Sequence, residues 1–328
     1  MLKNKWYLIC HSKDLTNKII VKKILNEDII IYRTRNGIPV ALEDRCCHRN
    51  VKLSLGYLSE NNVVCGYHGW KFDCNGNCVL IPSQLPGTKI PPKAVIKKYP
   101  IKEFNNWVWI FVGDEEKVNN VNPPNIPEMA EWNYTYKEHI FEADLEAAAE
   151  SLIDPYHIKY THKDSIKQLL GQINEFPAEF RIETIEDGIS GKYYRANTAN
   201  ISEKMYFGDE PELEVFYRFY YPNISRLEAR FNDRILLILE HFMQVDDKKI
   251  SMTQITLWKN IFGFFPAFGR WFMARKSNKI VNEDIALLKS QKEILDKVKD
   301  NLHEVSVKGD EVSLAFRKYW RKRLKEEN

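Results

Sequence analysis

No cysteine occurs in the last 250 residues of this 328-residue chain; all six, Cys10, Cys46, Cys47, Cys65, Cys74 and Cys78, lie in the first quarter. The opening Met1-Leu2-Lys3-Asn4-Lys5-Trp6-Tyr7 lacks the apolar stretch and small-residue cleavage site of a secretory signal. A cytoplasmic, reducing location is therefore expected, where crowded thiols serve metal binding or catalysis rather than disulfides. No uninterrupted apolar run reaches the roughly 18 residues of a membrane-spanning helix. The net charge is only +3, from 48 Lys+Arg against 45 Asp+Glu, which excludes a strongly basic nucleic-acid binder. There is no G-x-G-x-x-G fingerprint and no flavin-binding pattern, so any reducing power must come from outside the chain. Internal repeats and low-complexity tracts are absent as well. What is present is ordinary globular material, 44% hydrophobic and 28% charged, in a length that suggests about two domains.

The first 112 residues read as β structure. Ile19 to Tyr32 is rich in β-branched residues, and Ile38 to Leu42 follows an Asn36-Gly37 turn signal. Val63-Val64, Trp70 to Phe72 and Trp107 to Val112 are further short strands, and the proline-rich 82–92 is a loop. Residues 114–127, polar with three prolines, suit a linker. Beyond it the pattern changes to α+β. Ala143 to Leu152 and Asn282 to Leu302 read as helices, and 176–258 reads as alternating strands. The expected organisation is an all-β domain at 1–113, a linker at 114–127, and at 128–328 an antiparallel sheet flanked by helices. Charge divides at the same boundary. Residues 1–112 hold 17 Lys+Arg against 8 Asp+Glu, a net of +9, and the rest of the chain is net −6. A basic first domain suits docking of an acidic partner.

Two constellations carry chemistry. Cys46-Cys47-His48 and, after sixteen intervening residues, Cys65-Gly66-Tyr67-His68 form C-x-H and C-x-x-H on turns between strands. Two thiolates and two imidazoles suit either tetrahedral zinc or a [2Fe–2S] cluster held by two Cys on one iron and two His on the other. Zinc tolerates any ligand order. The cluster requires each loop to give one Cys and one His, as these loops do. The second constellation, Asp154-x-x-His157-x-x-x-x-His162, places Asp154 and His157 on one helical face. His157 and His162 converge only if the helix bends or ends between them. Two neutral histidines and a carboxylate from elsewhere in the fold would make the facial triad of non-haem Fe(II) oxygenases.

The run Cys46-x-His48-Arg49 … Leu53 … Gly56 … Cys65-x-Tyr67-His68-Gly69-Trp70-x-Phe72 … Gly76 resembles the Rieske domain of Rieske non-haem iron oxygenases. The Asp154 to His162 segment resembles that family's iron-binding signature. The resemblance implies that Cys46, His48, Cys65 and His68 hold the cluster. It implies that His157 and His162 bind a mononuclear Fe(II), and that Asp284, in Glu283-Asp284, is the third ligand with Glu283 the runner-up. It further implies that Asp154 bridges a Rieske histidine, His68, of one subunit to His157 of the next, in a homotrimer. O2 is then the co-substrate, and electrons arrive from NAD(P)H through a separate flavin reductase, with or without a ferredoxin. Total length, the Asp284 helix and the closing Asp310 … Arg321 look like the vanillate and dicamba O-demethylase and pheophorbide a oxygenase groups. Two departures stand out. Cys47 occupies a position usually held by Pro, which predicts a looser loop, and Glu150 stands where many members carry Asn.

The implied activity is hydroxylation or oxidative demethylation of a small hydrophobic or aromatic substrate. The alternatives are an electron-transfer Rieske protein with a non-catalytic second domain, or a zinc-stabilised binding module. Neither gives a reason to keep Asp154, His157, His162 and Asp284 together. Trp258 to Phe272, the most apolar stretch, reads first as core, with a pocket wall or a membrane-surface contact as competing uses, and Pro266 is expected to break it. The basic cluster Arg317 to Lys325 reads as a solvated terminal helix.

Overall fold

The computed structural model describes residues 2–154, 156–165, 180–185, 188–195, 213–231, 233–262, 266–298 and 303–327. It divides into two compact units, Met1–Ala130 with Val245–Asp247, and Glu131–Gln244 with Lys248–Asn328. The stretch expected to link the halves groups with the first unit. There Glu115–Asn120 forms a short 3-10 turn, and the Asp114 side chain accepts a hydrogen bond from Glu116 N at 3.2 Å.

Ten short strands build the first unit: β1 (Lys5–His11), β2 (Ile20–Ile24), β3 (Glu27–Arg33), β4 (Pro39–Glu43), β5 (Tyr57–Ser59), β6 (Asn62–Val64), β7 (Lys71–Phe72), β8 (Cys78–Leu80), β9 (Ile101–Phe104) and β10 (Trp107–Val112). They form three antiparallel sheets, ordered β1-β10-β9, β2-β3-β4 and β5-β6-β7-β8. The β-rich 19–32 segment is a hairpin. Leu25 and Asn26, at φ 51° and 67°, turn the chain in the left-handed sense that matches strand twist, and Asn105-Asn106 does the same between β9 and β10. Ile30, Tyr32, Leu42, Leu53, Val63 and Phe72 make a core that also takes in Cys46, Cys65 and Cys78.

The second unit is a seven-stranded antiparallel sheet in the order β11-β17-β16-β15-β14-β13-β12. Its strands are β11 (Asn133–Glu142), β12 (Phe180–Ile185), β13 (Gly188–Arg195), β14 (Leu213–Tyr220), β15 (Ile224–Phe231), β16 (Arg234–Gln244) and β17 (Lys249–Lys259). β12 to β17 run as a meander, and β11 closes beside β17. Among the described residues the α-helices of the chain are α1 (Glu128–Glu131), α2 (Leu145–Ile153), α3 (Ile158–Thr161), α4 (Pro266–Val298) and α5 (Glu311–Glu327).

Register shows which face the helices cover. Lys137, Gln254, Glu240, Ser225 and Phe219 lie opposite one another across five strands. Lys137 Nζ donates to Asn278 on α4 at 2.5 Å, Ser225 Oγ donates to the Ala149 carbonyl on α2 at 2.8 Å, and the Phe219 ring packs edge-on to Phe316 on α5. This row therefore points into the layer between sheet and helices, where Phe219 of β14 is fully buried.

The last long helix departs from expectation. Pro266 starts α4 rather than breaking the segment, because proline lacks the N–H that a first helical residue would leave unpaired. The 33-residue helix runs through Asn282, so Asp284 sits mid-helix and is not an N-terminal acid. Of the apolar 258–272 stretch, Trp258 and Ile261 are buried, whereas Phe268 and Trp271 are exposed; 263–265 lie outside the described residues, as do 299–302 at the expected helix end. Arg317 is not solvated either, being 20% exposed and paired with Glu150. Among the described residues no helix is long and apolar enough to cross a membrane.

Candidate active site

In the first unit the two Cys-His loops share one backbone design. Cys46 N donates to Val51 O at 2.8 Å while Asn50 N donates back to Cys46 O at 2.9 Å; Cys65 N donates to Trp70 O at 2.9 Å while Gly69 N donates back to Cys65 O at 3.0 Å. Asn50 and Gly69, at φ 57° and 71°, hold the left-handed position each loop needs to close. A second glycine lets the loops approach: a Cβ on Gly56 would lie 1.9 Å from Val64 O. With Cys47 in the proline position the first loop closes with the same two backbone hydrogen bonds as the second.

The loops point unlike donors in different directions. Cys46 and Cys65 are buried in the core, and burial, followed by Cys65 as neighbour, pushes the Cys46 thiol up to about 11. His48 and His68 lie further out, their ring centroids 4.8 Å apart, and Trp70 of the second loop stacks on His48 of the first at 4.5 Å. Two sulfurs inside and two imidazoles toward solvent is the donor set of a Rieske cluster.

In the second unit α2 ends at Ile153, and Asp154 has extended backbone (φ −75°, ψ 115°), so Asp154 and His157 do not share a helical face. The two histidines instead bracket the single turn of α3, as its N- and C-terminal flanking residues. That arrangement brings their ring centroids to 5.2 Å at 78°. One ligand atom from each of His157, His162 and Asp284 fits within 4.8 Å of the others.

The far nitrogen of each ring is occupied. His157 Nδ1 lies 2.6 Å from the Asp154 backbone carbonyl, and 3.9 Å from the Asp154 carboxylate. His162 Nδ1 lies 2.9 Å from Glu283 Oε2, which also accepts from the Ser165 hydroxyl. With both Nδ1 atoms engaged outward, both Nε2 atoms face Asp284 Oδ1, at 3.8 Å from His157 and 3.2 Å from His162. Glu283 and Asp284, adjacent on α4, thus reach His162 from opposite sides of its ring.

Electrostatics differ between the two rings. Burial disfavours the imidazolium at His157 and outweighs the Asp284 and Asp154 charges, so its pKa falls. Burial also opposes protonation of His162, but hydrogen bonds and charge from Asp284, then Glu283, win and raise it. A divalent cation among the three ligand atoms would relieve the crowding of unsatisfied acceptors that the triad creates on its own. Geometry and donor chemistry therefore fit a mononuclear iron.

Asp154 is 34% exposed, at a cleft of about 260 Å³ that Glu150, His157, Asp284 and Arg317 also line. Its Oδ1 accepts from Tyr156 N at 2.9 Å. Glu150, read as out of place, is held by Arg317 through two bonds of 2.5 and 3.0 Å, and Arg317 reaches Glu304 at 2.6 Å. Sequence reasoning missed one pair entirely. Glu240 on β16 is buried, and Gln254 on β17 donates to its Oε1 at 2.9 Å. A charged residue inside the apolar run Ile235 to Phe242 was the available signal.

Comparison with known proteins agrees with both halves. The profile of the Rieske [2Fe-2S] domain matches residues 5–100, and that of the vanillate O-demethylase oxygenase C-terminal domain matches residues 141–326. A toluene-4-sulfonate monooxygenase iron-sulfur subunit of Comamonas testosteroni is 34% identical over 50% of this chain and 48% of its own length. A vanillate O-demethylase oxygenase subunit of a Pseudomonas species is 31% identical over 55% of this chain and 50% of its own. The chain spans about half the length of the curated relatives it matches. The crystal structure of dicamba monooxygenase bound to 3,6-dichlorosalicylic acid superposes with a TM-score of 0.85 over 100% of this chain and 99% of that one, at 16% identity, a likeness of fold.

Proposed function

The chain belongs to the Rieske oxygenases whose C-terminal domain is of the vanillate O-demethylase type, and we propose that it hydroxylates or oxidatively demethylates a small hydrophobic or aromatic substrate with O2. The observation that carries this reading is the convergence of His157 Nε2, His162 Nε2 and Asp284 Oδ1, with both Nδ1 atoms already engaged. Held on these ligands and on the four Cys-His donors, the iron supplies dioxygen activation and the cluster supplies electrons singly.

The remaining work falls to the protein. Glu283 and the Asp154 carbonyl fix the tautomer and tilt of the ligand imidazoles. Asp154, one-third exposed beside His157, would accept a hydrogen bond from the His68 imidazole of another copy and so connect the two centres across a subunit boundary in a homotrimer. Because the sequence carries no nicotinamide or flavin fingerprint, a separate reductase, with or without an acidic ferredoxin, would deliver electrons, and the +9 charge of residues 1–112 suits that docking.

The test uses the intact chain reconstituted anaerobically with iron and sulfide. A Rieske absorption and EPR signal is expected, with additional iron that His157→Ala loses while the cluster stays. Aromatic methyl ethers and alkylarenes, screened with a surrogate reductase, should yield oxygenated or demethylated products. A colourless zinc protein, or one whose His157→Ala variant keeps its full iron content, would overturn the reading.

A further inference from the structure

The first four turns of α4 carry a surface unlike the rest of their half of the chain. At 3.6 residues per turn, Phe268, Trp271, Phe272, Arg275 and Lys279 fall within an arc of about 100°, turned away from the buried Gly269, Met273 and Val281. Phe268 is 49% exposed and Trp271 60%. Their ring centroids lie 5.9 Å apart, with Phe272 and Phe262 at 5.9 and 6.0 Å from Phe268. Lys276 Nζ sits 5.8 Å from the Phe272 ring. Residues 258–282 hold five Lys/Arg and no Asp/Glu, in a half of the chain that is net negative. Two acids touch the edges of the patch. Asn260 donates to the Asp233 carboxylate at 3.3 Å, and Lys279 Nζ meets Asp164 at its backbone carbonyl, at 3.4 Å. Among the described residues Lys259, Arg270 and Arg275 form no ion pair.

We propose that this face docks the protein onto an anionic lipid surface, with Phe268 and Trp271 entering the boundary between headgroups and acyl chains and Arg270, Arg275, Lys276 and Lys279 meeting lipid phosphates. Exposed rings flanked by cations are the two components of interfacial binding: the rings bury shallowly, and charge holds the helix to acidic lipid. The long Lys and Arg stems keep their charged ends at phosphate level while the rings sink. The absence of acids from 258–282 completes the match, since a carboxylate here would be repelled by the same phosphates.

A second copy of the chain is the competing occupant, and charge opposes it. A two-fold contact sets a patch against itself, so these cations would face their own equivalents with no acid on the helix face to offset them. The docking face is also remote from the chemistry. Asp284 lies sixteen residues beyond Phe268 on the same helix, roughly 24 Å along its axis. Surface binding and metal binding are therefore read independently, and the inference stands apart from the oxygenase reading.

Co-sedimentation of the reconstituted holoprotein with vesicles tests the face, using phosphatidylcholine alone and an equimolar mixture with phosphatidylglycerol. The intact chain should bind the mixture at least about tenfold tighter than phosphatidylcholine. Phe268→Ser/Trp271→Ser should lose about tenfold or more on the mixture, whereas Trp271→Phe, which keeps an apolar ring, should stay within about threefold of the intact chain. Arg270→Gln/Arg275→Gln/Lys279→Gln should bind both vesicles alike. No binding of the intact chain to the mixture, equal binding to the two vesicles, or undiminished binding by the double or the triple variant would overturn the proposal; the last would move the contact to the basic first unit. Sedimentation velocity without vesicles should give the same assembly for the intact chain and Phe268→Ser/Trp271→Ser. A smaller assembly in that variant would assign the face to a second copy and overturn the lipid contact. The cluster EPR signal and iron content are read on the same samples, and their absence sinks the oxygenase reading while leaving the vesicle result to decide the docking face.

Discussion

Replacing Glu283 separates the two acidic neighbours on α4. In the structure Glu283 Oε2 accepts from His162 Nδ1 at 2.9 Å and from Ser165, whereas Asp284 Oδ1 lies 3.2 Å from the opposite ring nitrogen. Glu283 therefore acts on the metal only through the imidazole. Losing an outer partner of a ligand histidine costs roughly 10- to 100-fold in metal affinity, or about 1.4 to 2.7 kcal/mol. Glu283→Gln still offers an acceptor to Nδ1–H and belongs at the smaller end. Glu283→Ala leaves the ring free to rotate and the Ser165 hydroxyl unpaired, which places it at the larger end. Asp284→Ala removes a donor atom and should lose more than either. The assay is anaerobic competition for Fe(II) against a chromophoric chelator at pH 8.5, where protons compete little for the imidazoles. The cluster EPR signal serves as the control for folding. Wild-type affinity in Glu283→Ala would refute the orienting role. Abolished binding in Glu283→Ala with binding kept in Asp284→Ala would make Glu283 the ligand.

Three further outcomes are expected. Asp154→Asn should leave both metals bound, by iron analysis and EPR, yet block turnover supplied with reductase; normal product formation would refute the bridge. Arg317→Met strips the bidentate partner from Glu150, whose carboxyl burial already pushes up despite the guanidinium. Urea unfolding should show a loss of about 3 kcal/mol, with the Glu150→Met/Arg317→Met double variant losing less, because an orphaned buried charge is worse than none. His241 is buried against Asn223 at 3.0 Å, and burial lowers its pKa from 6.5 to about 3. The unfolded chain then binds a proton between pH 6.5 and 3 that the native chain does not, so stability is lost as pH falls through that window, by about 1.4 kcal/mol per pH unit. A urea-stability profile for His241→Gln should lack that component; a parallel slope in both proteins would contradict it.

The Cys-His loops were legible as sequence because local geometry nearly suffices there. Asn50 and Gly69 close each loop with backbone bonds within six residues, so four donors at short spacing already imply their placement. The strands of the first unit were likewise marked by their own turns, such as Asn36-Gly37 between β3 and β4. The triad was legible in composition but not in geometry. His157 and His162 converge because α2 stops at Ile153 and a separate turn follows, not because one helix bends. Asp284 looked like a helix-start acid because Asn282 resembles a cap, yet strong helix formers from Arg270 onward carry α4 straight through.

The sequence by itself determined which groups are available: two thiols and two imidazoles on paired loops, two histidines behind an aspartate, and a Glu-Asp pair far downstream. Tertiary structure alone decided their division of labour. Glu283 and Asp284 are neighbours of equal charge, and only the approach of His162 between them, buried beside α4, gives one the orienting contact and the other the face shared with His157. The same holds for Glu150 and Arg317, joined across 167 residues, and for Glu240, set beside Gln254 by the register of β16 and β17. Such assignments depend on side-chain direction and burial between distant segments, and no local pattern records either.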